Sequence, residues 1–385
     1  MILERVRLGR ALARVPVRVA VAGTRGKSSV TRLIAAGLRA SGARVLAKTT
    51  GSKPVLIFPD GTEAEIPRVG MPSIREQVRL VSRAARIGAD ALVVEMMSIG
   101  EECLRAESGK ILRPRVLALT NVRADHLDAM GADRETIART LTAVFPENGE
   151  VLLPAEELRP VFERAASRLK IRLVPVPPAP GVGAADGLAK TIPGEFEPNR
   201  RLARAVLASL GIDDRTIEQG FAAAAPDAGS LRIWRGAFGE PPRRAFCVSL
   251  FAANEPESSA AALLEVERMI PLAGRPLVGL LSLREDRGDR TLQWVRAAGE
   301  GFFRGFSSVF LIGPPARAAL RKVRRRPGPG GPVFSSIEGR SPEALMTRVL
   351  SAAPGDPVVV GLGNFVGRGE EIARYWELRG TAHAG

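Results

Sequence analysis

The stretch Ala22–Leu33, "AGTRGKSSVTRL", decides the fold. It follows the apolar run Val17–Ala22, "VRVAVA", and leads into helix-compatible sequence. A buried strand that turns through glycines into a helix presents backbone N–H groups and the positive end of the helix dipole to an anion. Gly23 and Gly26, with Thr24 and Arg25 between them, allow such a backbone to close around phosphate oxygens. Lys27 supplies a point charge for β- and γ-phosphates, and Ser28, followed by Ser29, brings a hydroxyl suited to Mg²⁺. The usual loop has a further glycine where this chain has Val21. The alternative is an ordinary strand–turn–helix junction, against which the run Gly-Lys-Ser beside two glycines weighs heavily. Taken alone, the loop implies a nucleotide and leaves the reaction open.

Outward from the loop, short β-branched or apolar runs alternate with longer amphipathic stretches, the pattern of an α/β protein with a mainly parallel sheet. Strands are predicted at Val17–Ala22, Ala43–Thr49, Ala89–Met96, Arg115–Val122 and Glu150–Ala155, and helices at Ser29–Ser41, Ile74–Ile87 and Glu135–Val144. The Pro-rich stretch Val174–Gly183 reads as an exposed loop. A second series follows Ala225–Gly236, with strands predicted at Arg244–Ala252, Pro276–Leu283, Ser308–Gly313 and Pro357–Asn364, and a loop at Arg324–Pro332. The expected fold is a P-loop-type, mainly parallel α/β domain over residues 1–235 and a smaller, Rossmann-like α/β domain over 236–385. The boundary is expected near Arg232 to Pro242.

Composition narrows the partners. The 385 residues are 45% hydrophobic, enough for buried cores, and carry a net charge of +15, which calls for an acidic partner: nucleic acid, anionic lipid or a polyanionic substrate. Only seven of the 56 basic residues are Lys, so part of the excess reads as Arg bias. Aromatics at 5% leave no interleaved basic and aromatic surface for single-stranded bases, so specific nucleic-acid binding is not expected. No uncharged apolar run reaches about 18 residues. The N-terminal segment is interrupted by Arg5, Arg7, Arg10 and Arg14, so neither a membrane span nor a cleavable signal is expected. Cys103 and Cys247 lie far apart among apolar neighbours and read as reduced core residues of a cytoplasmic protein.

Two further segments carry chemistry. In "VVEMMS", Glu95 is the first acid at the end of a strand, placed either to hold Mg²⁺ beside the loop or simply to be solvated. "LTNVRADHLDAMG", Leu119–Gly131, gathers Asn121, Asp125, His126 and Asp128 at another strand exit. His126, one of two histidines, reads as a metal ligand or acid–base group on one view and as a structural residue on the other.

These residues together resemble the ATP-dependent amide ligases of the Mur ligase superfamily. The likeness is nearest to the poly-γ-glutamate synthase ligase subunits of capsule systems. It extends through "AKTTGS" (Ala47–Ser52), "FEPNRRLARAVLASLGID" (Phe196–Asp213), "APDAGSLRI" (Ala225–Ile233), "FAANEPES" (Phe251–Ser258), "REDRGDRT" (Arg284–Thr291) and "GLGNFVGRGE" (Gly361–Glu370). The resemblance implies that a carboxylate attacks the γ-phosphate of ATP and that an amine converts the acyl phosphate to an amide. Lys27, one Mg²⁺ on Ser28 and Glu95 and a second near His126 would neutralise the charge that develops. It further implies an adenine contact for Asn199, a γ-phosphate contact for Arg232, and nucleotide or glutamate contacts for Asn254, Arg284, Asp286 and Arg287. Without the resemblance those arginines read as a solvated face, and Gly361, Gly363 and Asn364 read equally as a ligand turn or a plain tight turn.

Some family features are not met. The loop starts within the first 25 residues, so a domain for a nucleotide-linked sugar is not expected, nor is an apolar anchor. Neither Lys170 nor Lys190 has the context of a carbamylated metal-binding lysine. The leading expectation is a capsule-type ligase using ATP and two Mg²⁺ ions on glutamate or poly-γ-glutamate. It would work as a cytoplasmic protein, alone or as a homo-oligomer, brought to the inner face of the membrane by a small integral-membrane subunit. The alternatives are a folylpolyglutamate-type ligase, which a chain with one Tyr and three Trp equips poorly, and a nucleotide-gated scaffold or basic nucleic-acid binder.

Overall fold

The computed structural model describes residues 2–51, 54–67, 72–123, 130–131, 133–178, 197–225, 227, 231–325, 328, 330–339 and 341–383. The chain divides into two compact units, Met1–Asp227 and Ala228–Gly385.

The first unit is built around β1 (Val17–Ala22). Side chains alternate along this strand, so Ala20 and Ala22 enter one apolar cluster and Val19 and Val21 the other. Burial on both faces is what a parallel sheet covered by helices on each side requires. The other strands are β2 (Val45–Lys48), β3 (Val55–Ile57), β4 (Glu63–Glu65), β5 (Ala91–Glu95), β6 (Val116–Leu119), β7 (Glu150–Pro154) and β8 (Arg172–Val176). Among the described residues their order is β4-β3-β2-β5-β1-β6-β7-β8. Pairing is parallel from β2 to β8, and only β3 and β4 run antiparallel to their neighbours.

Helix α1 (Ile2–Ala13) covers one face and α2 (Lys27–Ala40) the other. On the first face α1 is joined by α3 (Arg75–Arg86) and α4 (Glu101–Arg105), which runs directly into the π-helix Ala106–Leu112. On the second, α2 packs against Glu197–Ser209 and Asp214–Ala222. This contact is close because of two glycines: a Cβ on Gly220 would lie 2.5 Å from Gly37 Cα and 2.8 Å from the Ala36 carbonyl oxygen.

The second unit holds β9 (Arg232–Phe238), β10 (Arg243–Ser249), β11 (Leu277–Ser282), β12 (Phe306–Ile312), β13 (Val333–Ser336), β14 (Val358–Gly363) and β15 (Gly380–Ala382). Their order is β13-β12-β11-β14-β10-β9-β15 among the described residues, with β9 antiparallel to both β10 and β15. Its core stacks Phe251 on Trp376, and the Trp376 indole N–H donates to the Met346 sulfur.

Several expectations change. A break at 235/236 would fall inside β9, which pairs with β10 from Arg232 to Phe238, whereas the contacts part at 227/228. Val174–Val176 belongs to β8 and not to a loop: Val174 pairs with Leu152, and Pro175, which lacks an N–H, is tolerated because β8 is an edge strand. Residues 179–183 of the Pro-rich stretch lie outside the described residues. Arg324 and Arg325 end the helix Ala316–Arg325 and do not begin the following loop. Cys103 is exposed on α4 and is not a core residue; Cys247 is buried, and burial pushes its thiol up. No helix among the described residues is long and apolar enough to cross a membrane.

Candidate active site

The register of β1 fixes where the site forms. Val21 pairs with Glu95 of β5, and Ala22 with Leu119 of β6. The turn after β1 therefore opens between the carboxyl ends of its two neighbours, the crevice at which open α/β sheets bind ligands. Gly23 (φ 116°) and Gly26 (φ 78°) both hold left-handed backbone that other residues adopt at a cost. Space forbids a side chain as well: a Cβ would lie 2.2 Å from Thr120 Oγ1 at Gly23 and 2.4 Å from Asn199 Oδ1 at Gly26. Gly26 caps α2, whose first turn carries Lys27, Ser28 and Ser29. Asn199 is buried and packs on this glycine.

The turn is braced from β6. Asn121 Oδ1 accepts from Thr24 Oγ1 (2.7 Å) and from the Arg25 N–H (3.0 Å), while Asn121 Nδ2 donates to the Arg25 carbonyl (3.1 Å). The Arg123 N–H donates in turn to Thr24 Oγ1 (2.9 Å). Asn121 thus clamps the glycine-rich loop, a role the sequence did not disclose. One residue on, the Val122 N–H donates to Glu157, whose carboxyl is pushed up by its burial. Asp125, His126 and Asp128 lie outside the described residues.

Lys27 Nζ donates to the carbonyls of Gly23 (2.9 Å) and Thr24 (3.1 Å), lying across the loop. Ser28 Oγ donates to Glu95 Oε2 at 2.7 Å, and the Thr50 N–H donates to the same oxygen at 2.7 Å. Glu95 is 3% exposed. Gly51 lets the β2 exit approach this pair, since a Cβ there would stand 2.8 Å from Ser28 Oγ. A hydroxyl and a carboxylate, both hard oxygen donors, thus meet at the end of the glycine-rich loop. Mg²⁺ takes such a set, one or two protein oxygens completed by phosphate oxygens and water, so the residues fit that ion.

The candidates of the second unit are placed differently. Arg232 starts β9, and its Nη1 donates to Glu377 (3.1 Å). Arg284 donates from Nε and Nη2 to both oxygens of Asp286 (2.9 and 2.6 Å), which holds that carboxyl below its usual value. The fork is therefore already engaged within its own loop. Arg287 lies 3.5 Å from Asp289. Asn254 has φ 70°, and its buried Oδ1 has no hydrogen-bond partner among the described residues. Gly361, Gly363 and Asn364 have packing reasons. A Cβ on Gly361 would meet the Phe251 ring at 2.4 Å, one on Gly363 (φ 84°) would meet the Ser282 carbonyl at 2.3 Å, and Asn364 Nδ2 donates to that carbonyl at 3.2 Å. Lys170 is the left-handed C-cap of the helix Pro160–Leu169, and Lys190 lies outside the described residues.

Residues 21–170 match the Mur ligase middle domain, and residues 237–379 match the poly-gamma-glutamate synthase CapB C-terminal domain. The capsule biosynthesis protein CapB of Bacillus anthracis is 30% identical over 367 residues, which cover 93% of this chain and 76% of that protein. The chain belongs to the CapB family. A second relative, PGA synthase CapB of Bacillus subtilis (strain 168), is 28% identical across 96% of this chain and 93% of its own length. The fold is shared with E. coli FolC in complex with ADP, with a TM-score of 0.69 at 18% identity, covering 98% of this chain and 92% of that one. It is shared equally with the bifunctional folylpolyglutamate synthase/dihydrofolate synthase of Yersinia pestis complexed with AMPPNP and Mn, with a TM-score of 0.68 at 17% identity over 98% and 93% of the two chains. As a CapB-family member with a Mur ligase middle domain, the protein is an ATP-dependent amide ligase.

Proposed function

We propose that this CapB-family ligase lengthens a γ-linked polyglutamate chain, using ATP to activate a carboxylate that the amine of glutamate then captures. The observation that carries the reading is the contact of Ser28 Oγ with Glu95 Oε2 at 2.7 Å, at the mouth of a loop whose glycines Gly23 and Gly26 hold left-handed backbone. The substrate carboxylate oxygen attacks the γ-phosphorus as the bond to the departing ADP oxygen breaks. The amine next attacks the acyl carbon, inorganic phosphate leaves, and the amine proton passes to solvent.

In this reading the backbone of residues 23–28 binds the phosphates, and Lys27 turns from the Gly23 and Thr24 carbonyls to the β- and γ-phosphates. Ser28 and Glu95 hold one Mg²⁺, which offsets phosphate charge when bound, and His126 belongs to a second. Asn199, packed on Gly26, serves the nucleotide. Asn254, whose Oδ1 has no hydrogen-bond partner among the described residues, and the Arg232, Arg284 and Arg287 guanidinium groups serve the acidic substrate or the nucleotide; for Arg284 this requires displacing Asp286. A small integral-membrane capsule-synthase subunit and self-association belong to the same reading, and co-purification from membranes tests them. The two units are proposed to divide the work, the first taking ATP and the second completing the ligase.

The decisive assay supplies ATP, Mg²⁺, glutamate and a short poly-γ-glutamate primer. One ADP should be released for each residue added, with products resolved by mass spectrometry. Elongation of a pterin–glutamate conjugate in preference to the primer would replace this substrate assignment.

A further inference from the structure

Behind Glu95, on the side away from Ser28, lies a cluster of buried polar groups that the phosphate chemistry does not use. Glu107 is completely buried in the π-helix Ala106–Leu112. Its Oε2 accepts from the Ser98 N–H (2.9 Å) and its Oε1 from the Met97 N–H (3.1 Å), the second and third residues after Glu95. Oε1 also accepts from Gln77 Nε2 at 2.6 Å, and the same amide nitrogen stands 3.4 Å from the Glu95 carbonyl oxygen. Gln77 is itself fully buried, and its Oε1 accepts from Lys48 Nζ at 3.1 Å. Lys48, also buried, ends β2 opposite Val94 of β5 and forms an ion pair with Glu76 at 3.0 Å.

A carboxylate with no exposure persists only where donors surround it, and here the donors are the backbone just beyond the strand-end carboxylate. Three elements, β2, α3 and the π-helix, therefore converge on residues 95–98. The β2 exit reaches Glu95 from the front as well, since the Thr50 N–H that fixes Glu95 Oε2 lies two residues after Lys48. The i+5 spacing of the π-turn, visible in the Arg113 N–H donating to the Ser108 carbonyl at 2.7 Å, sets the direction in which Glu107 enters the cluster.

We propose that Glu107 is a positioning residue for Glu95. By holding the 97–98 backbone and, through Gln77, the Glu95 carbonyl, it sets the angle at which Glu95 offers its oxygens to Ser28 and to the cation beside the nucleotide. The role rests on the reading of Ser28 and Glu95 as the metal-holding pair. Glu107→Gln keeps the volume but turns an NH₂ group toward N–H donors, so the strand exit loses its fixed anchor while Glu95 itself is untouched.

Mn²⁺ binding in the presence of ADP, read from the electron paramagnetic resonance of free Mn²⁺, tests this on the full chain. Glu95→Gln and Ser28→Ala should each weaken Mn²⁺–ADP binding, which checks the underlying pair. Glu107→Gln should weaken it by about tenfold, the usual effect of removing an outer partner of a metal ligand, with metal-free ADP binding unchanged. If Glu95→Gln and Ser28→Ala bind Mn²⁺–ADP as wild type does, the pair and the positioning role fall together. If those two weaken and a folded Glu107→Gln stays within twofold of wild type, the positioning role alone falls. Amide exchange on the wild type guards against a variant that does not fold. The Met97 and Ser98 N–H groups should be strongly protected without metal or nucleotide, and rapid exchange at both overturns the proposal.

Discussion

Lys27 lies across the loop from which it springs, its ammonium satisfied by two carbonyls of that loop. Lys27 is not among the buried core residues, so Lys27→Ala should leave the thermal midpoint close to wild type while lowering ADP release by about 10²–10³-fold, as the loss of one electrostatic stabiliser does. Stopped assays of ADP with and without primer check this. Glu95→Gln keeps shape and, through its amide oxygen, the hydrogen bond from Ser28, but removes the negative charge and one oxygen from the donor set. Its activity should recover in part when Mg²⁺ is raised, and a Mg²⁺ titration flat across variant and wild type would remove the metal role. Lys27, Ser28 and Glu95 were legible because a local motif and a strand end announce them. Glu107 was not. Its one signal is an acid spaced three residues after Leu104 and four before Ile111, both buried, which places a carboxylate on an apolar stripe. Lys48 and Asn121 depend on the order of strands in the sheet, β2 beside β5 and β6 beside β1, and no single segment contains that information.

At the scale of elements, α2 couples the glycine-rich loop to the rest of the first unit. Its N-terminus is the loop, and its far half meets Asp214–Ala222 through Gly37 and Gly220. Gly220→Ala would press a methyl onto backbone atoms of Gly37 and Ala36, which cannot swing aside as a side chain can. The expected cost is about 1–3 kcal/mol, the range for overpacking, read as a lowered midpoint in urea or heat. The long, periodic elements were readable: β1, β2, β5, β6, β7, α2 and α3 stand within a few residues of the predicted spans. The short or irregular ones were not. β3 and β4, of three residues each, carry no period to detect, and the π-helix breaks the 3.6-residue rhythm that a helix search looks for. β8 was hidden because a strand containing Pro175 looks like a loop unless its edge position is known.

Over the whole molecule, the charge of +15 acts at a distance and the two thiols act as local probes. Raising ionic strength from 0.01 to 0.15 M shortens the screening length from about 30 to about 8 Å. Anisotropy of a labelled poly-γ-glutamate chain should show affinity falling at least about tenfold over that range if the basic surface draws in the polyanion. ADP, held by short contacts, should lose less, and equal losses for the polymer and for random DNA would mean the charge makes no choice between polyanions. A thiol reagent should titrate one cysteine in the native chain and two after unfolding, because Cys103 is exposed and Cys247 is buried with its thiol pushed up. The placement of Cys103 reaches further than its own reactivity. It sits exposed on α4, four residues before Glu107, in the helix that runs directly into the π-helix. A dye attached there would need no engineered handle, and its emission could be followed while nucleotide and metal arrive, so the wild-type protein carries a ready-made optical window on the scaffolding behind Glu95.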